Sequence, residues 1–187
     1  MISKIEIPEP WKSFLTEIDT KLAEEIKLHC IGGFVIRMLY NFDRETSDLD
    51  FISCLPGERK EELYESAGFG SSLQQKYKVY LDPVTVATPP YSYEDRLIEM
   101  FPGEFSYLRL YALDPYDLAL TKLERSSSTQ HDLEDVLHLA RTLPFDLEIF
   151  IKRYEEEFKI YVEDSPRHRS TFGHWVKIIS EEREKTD

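Results

Sequence analysis

Two aspartates one residue apart, Asp48 and Asp50, close the stretch RETSDLD, and a glycine pair, Gly32 and Gly33, stands upstream at the end of an apolar run. On a strand, residues i and i+2 project to one face. The two carboxylates therefore point together, while Leu49 and Phe51 face the other way. Carboxylates that close repel unless a positive charge lies between them, and hard oxygen donors favour Mg²⁺ or Mn²⁺. Glycine between a strand and a helix lets the backbone approach a ligand closely, and the N–H groups of a helix start face an anion. A phosphate nest beside a cation-binding acid pair is what nucleotidyl transfer needs.

The elements that must position these groups follow from the hydrophobic pattern. Trp11, Phe14, Leu15, Ile18, Leu22 and Ile26 have helical spacing. A short apolar strand over 28–31 meets the glycine pair, a helix follows over 34–40, and a buried strand over 49–53 carries the acids. The charged stretch 56–67 predicts a helix, 77–87 one or two strands broken at Pro83, and 107–112 a further strand. From Asp114 onward the pattern is helical only, with Asp114 as an N-cap and Pro115 in the first turn. Further helices are expected around Leu133–Ala140, over 145–162 and over 170–184. The predicted class is α+β: a small mixed sheet with flanking helices over 1–112, followed by a helical region over 113–187 packed on that core.

The chain has 187 residues, a net charge of −13 and 13% aromatic content. An acid excess of that size argues against constitutive nucleic-acid binding, because phosphate contacts from a basic face supply most of such affinity. No segment is long and apolar enough to span a bilayer and the first residues lack a leader core, so a cytoplasmic location is expected. Cys30 and Cys54 sit in apolar surroundings and are expected as buried thiols, and the five histidines show no zinc spacing.

The order of glycine pair, short helix and Asp-x-Asp resembles the DNA polymerase β-type nucleotidyltransferase superfamily. RETSDLD (44–50) further resembles its AbiEii-like branch, which includes type IV toxin–antitoxin nucleotidyltransferases, and TKLER followed by QHDLEDVLHL fits the same branch. The resemblance spans Gly32 to about Leu139. It implies Asp48 and Asp50 as metal ligands, Gly32 and Gly33 as triphosphate-holding backbone, and Arg44, Thr46 and Lys122 on the nucleotide side. Asp132 or Asp135 would position Lys122 or assist the acceptor. The superfamily's third carboxylate has Asp82 as its candidate, sharing the metal and helping to activate the acceptor. The implied reaction moves NMP from an NTP, ATP among them, to a hydroxyl of a tRNA, a protein or a small molecule, with Mg²⁺ or Mn²⁺ as cofactor. The charge sits more easily with the last two acceptors. A cognate toxin or antitoxin would be the protein partner. A second reading stays open: the same fold as a catalytically inactive binding or regulatory module.

Overall fold

The computed structural model describes residues 6–43, 45–124, 130–160, 162 and 165–183. Helix α1 (Trp11–Lys21) buries Trp11, Phe14, Leu15 and Ile18. It stops short of the apolar spacing, because Leu22 turns extended and Ile26 is drawn into the sheet, donating its N–H to the Tyr107 carbonyl. Strand β1 (Ile26–Ile31) runs straight into α2 (Gly32–Tyr40), and β2 (Asp48–Leu55) returns antiparallel to β1. Next come α3 (Lys60–Ala67), α4 (Ser72–Tyr77) and β3 (Tyr80–Pro83), the last parallel to β2. A two-residue β4 (Ile98–Glu99) precedes β5 (Leu108–Ala112), which lies parallel to β1. The sheet order is β3-β2-β1-β5-β4. This is the mixed α+β architecture that the pattern predicts, with one revision: residues 72–77 are helical, so the strand expected from Tyr77 begins at Tyr80.

Register on β2 decides what faces the core. Leu28 pairs with Cys54, but Cys30 pairs with Phe51, so one extra residue is accommodated between His29 and Cys30. This bulge flips the parity of β2. Cys54, Phe51 and Leu49 are all buried although their spacing is odd, and Asp48 and Asp50 take the opposite face. On the far side of β2, the Tyr80 and Val84 amides donate to the Ser47 and Phe51 carbonyls. Leu81 and Pro83 therefore direct their backbone nitrogens outward, Leu81 toward a bridge with Gly68. A proline fits this edge strand because its missing N–H would have pointed away from β2.

Contacts divide the chain into two units. The first comprises the chain up to Thr85 with Leu97–Ala112; the second comprises Val86–Arg96 with the residues from Leu113. In the first, Trp11 meets Phe34 edge-on at 4.6 Å, and Asp19 on α1 accepts hydrogen bonds from the amides of Ser106, Tyr107 and Leu108 at 2.7–3.0 Å. In the second, Asp114 caps α5 (Pro115–Thr121) through the amides of Tyr116 and Asp117, as expected. Helices α6 (Gln130–Thr142), α7 (Leu147–Arg153) and α8 (Pro166–Arg183) complete it. Its core is aromatic, with Tyr154 stacked on Phe172 at 3.8 Å and Phe150 against both Phe145 and Phe172. Arg96 binds the fully buried Asp117 with two nitrogens and also Glu157, while Arg153 bridges Asp114 and Asp117. Both cysteines are buried free thiols, and burial pushes the Cys30 thiol well up.

Candidate functional site

Asp48 opens β2 and Asp50 follows two residues later on the same face, with Leu49 and Phe51 anchored beneath in the core. The parallel register sets Asp82 directly opposite Asp50. Asp48, Asp50 and Asp82 each offer a carboxylate oxygen within 4.8 Å of the others. Among the described residues this is the one group of three or more acids, histidines or cysteines that could share a metal ion.

Gly32 lies against this cluster. It follows Ile31, the residue paired with Asp50, and has φ +77°, where a side chain is strained. An added Cβ would overlap the Asp50 carboxylate, coming within 2.9 Å of its Cγ. The first turn of α2 is thus brought to the acids at backbone distance, and its N–H groups have no intrahelical partners. Gly33 is the second residue of the same turn and is half-buried.

Thr46 is half-buried, and its hydroxyl donates to the Asp48 carboxylate at 2.5 Å and lies 3.1 Å from the Asp48 carbonyl. It also borders a cavity of about 360 Å³, lined in addition by Trp11, Arg37 and Ser47. The sequence reading passed over Arg37, although its place one helical turn beyond Gly33 was the available signal. On the other side of the cluster stands Tyr80, paired with Asp48 across the sheet and on the same face as Asp82. Burial and the neighbouring carboxylates of Asp48, Asp82 and Asp50 push the Tyr80 hydroxyl up.

The other expected residues fall elsewhere. Lys122, just after α5, is 3% exposed and donates to Asp135 at 2.5 Å and to Asp132 at 3.4 Å, both buried on α6. This trio belongs to the second unit and the acid cluster to the first. Arg44, and Arg125 of the TKLER stretch, lie outside the described residues. No helix among the described residues is long and apolar enough to cross a membrane.

No curated protein and no solved structure matches the chain significantly. One family model does match, over residues 12–183, and its description is nucleotidyltransferase of unknown function (DUF6036). The match takes in the acid cluster, the glycine turn and the helical region together. With most of its length covered, the chain belongs to this family of nucleotidyltransferases of unknown function.

Proposed function

We propose that the protein is a divalent-metal-dependent nucleotidyltransferase that moves NMP from an NTP to an acceptor hydroxyl. The observation that carries the reading is the convergence of Asp48, Asp50 and Asp82 beside a glycine whose Cβ position their carboxylates fill. Three hard oxygen donors within 4.8 Å fit Mg²⁺ or Mn²⁺ and would otherwise repel one another. When bound there, the ion neutralises triphosphate charge and lowers the pKa of a nearby hydroxyl.

The chain's own groups do the rest. The N–H groups at Gly32 and Gly33 hold the triphosphate, aided by Arg44, with Thr46 keeping Asp48 in place. Asp82 receives the proton of the acceptor hydroxyl. The acceptor oxygen then bonds to the α-phosphorus, the bond from α-phosphorus to the β-bridging oxygen breaks, and pyrophosphate leaves with that electron pair. Lys122, fixed by Asp132 and Asp135, is assigned the supporting role of a phosphate-side cation. The AbiEii-like placing, with a cognate toxin or antitoxin as partner, rests on the RETSDLD resemblance. The rival reading of an inactive binding module drew on the want of an evident third carboxylate, and Asp82 opposite Asp50 weakens it.

The test is incubation with each α-labelled NTP, Mg²⁺ or Mn²⁺, and pools of total tRNA, cell protein and small metabolites. Label should move to one pool in a metal-dependent manner and stop in Asp82→Asn and in Asp48→Ala/Asp50→Ala. Metal-dependent NTP binding without transfer to any pool would favour the binding module; no NTP binding at all would end the proposal.

A further inference from the structure

We propose that the aromatic rim beside Asp82, formed by Phe69, Tyr80 and Tyr64, is the acceptor subsite, and that it takes a small, uncharged or cationic molecule bearing a planar ring. The inference rests on the nucleotidyl-transfer reading. Gly32 lies at the end of β1, on one flank of the acids, while Tyr80 and Asp82 lie on β3, on the other flank. Entering and leaving oxygens at a transferred phosphorus stand roughly in line. With the triphosphate on the Gly32 flank, the acceptor enters from the β3 flank.

That flank carries an exposed ring with no apolar cover. Phe69 is 68% exposed and meets the Tyr80 ring edge-on at 5.3 Å. It stands between Gly68 and Gly70. The Tyr64 ring lies over Gly68, where a side chain would collide with it, and the Gly68 amide donates to the Tyr64 carbonyl at 2.6 Å. Three rings thus converge one residue pair away from the metal-binding face, and rings of this kind recognise a planar partner by stacking. Charge narrows the partner. Helix α3 carries Glu61, Glu62 and Glu65 against Lys60, a sum of +1 − 3 = −2, and the whole chain carries −13. A polyanionic strand is repelled there, whereas a neutral or positively charged ring is not.

The experiment uses the full chain with Mg²⁺ and a non-hydrolysable ATP analogue, and follows binding of tyramine, adenosine, glucose and a short single-stranded RNA by saturation-transfer NMR. The two uncharged or cationic ring probes should bind and glucose should not. Phe69→Ala should weaken ring-probe binding about five- to tenfold with the affinity for the ATP analogue unchanged, and Phe69→Trp should retain it. Equal binding to wild type and Phe69→Ala would overturn the subsite. So would a loss of ATP-analogue affinity in Phe69→Ala, which would give the rim to the nucleobase, or a preference for RNA over tyramine. If wild type fails to bind the ATP analogue with Mg²⁺, the nucleotidyl-transfer reading falls instead and takes the subsite with it.

Discussion

Thr46 determines how Asp48 presents its oxygens. Its hydroxyl spends its one proton on that carboxylate, so the aspartate enters the cluster already oriented. Partners of this kind, one bond removed from a metal, are typically worth ten- to a hundredfold in metal affinity. Thr46→Val, which keeps the shape and removes the donor, should weaken Mn²⁺ binding by about tenfold in a calorimetric titration, and Thr46→Ser should restore most of it. Unchanged Mn²⁺ affinity in Thr46→Val would show that Asp48 needs no such support. From the sequence, Thr46 read as a nucleotide-side residue through its place in RETSDLD; its bond to Asp48 depends on a loop conformation that spacing does not encode. Asp82 was legible by type and position, yet its place opposite Asp50 comes from a register set by backbone pairing. Gly32 was legible as a close-approach glycine, though not that Asp50 is what approaches.

Helix α1 is fastened to the start of β5 by one carboxylate. Burial works against the charge on Asp19, but amide donation from Ser106, Tyr107 and Leu108 outweighs it and, with Arg109, holds the carboxyl below its usual range. A depressed carboxyl stabilises the fold above its unfolded pKa, and the contribution is lost as pH falls through the lower folded value. Asp19→Asn should therefore cost about 2 kcal/mol in urea unfolding at pH 7. The gap to wild type should close as pH drops below about 4. A gap that persists at low pH would mean the side chain matters by shape alone. Lys122 offers a second case. Replacing its buried ammonium by the methionine of Lys122→Met leaves Asp132 and Asp135 facing each other without that cation. Breaking a buried ion pair in this way costs about 3–5 kcal/mol. A guanidinium melt should register the loss directly, and a variant as stable as wild type would free Lys122 from any structural part. Among the elements, β1, α2, β2 and β5 were legible because apolar runs bounded by glycine or proline have few other solutions. Helix α4 was not, since SLQQKY buries only Leu73, and two-residue β4 is too short to carry a pattern.

For the whole molecule the dominant quantity is charge. At −13 the surface field repels other polyanions, and the protein should bind a non-specific single-stranded RNA with a Kd weaker than about 10⁻⁴ M at physiological salt. Fluorescence anisotropy decides this; micromolar binding that falls steeply with salt would reveal a basic surface that the composition hides. Long-range ties were the least legible part of the chain. Arg96, Asp117 and Glu157 come together across separations of 21 and 61 residues, and each read singly as a solvated charge. The rim of the sheet has a further consequence. An open strand edge normally invites another copy to extend the ladder. Here the outer side of β3 offers little to join: Gly68 already bridges Leu81, and Pro83 has no hydrogen to give. The third carboxylate can therefore stand at the lip of the sheet, open to substrates, without turning the protein into a template for its own aggregation.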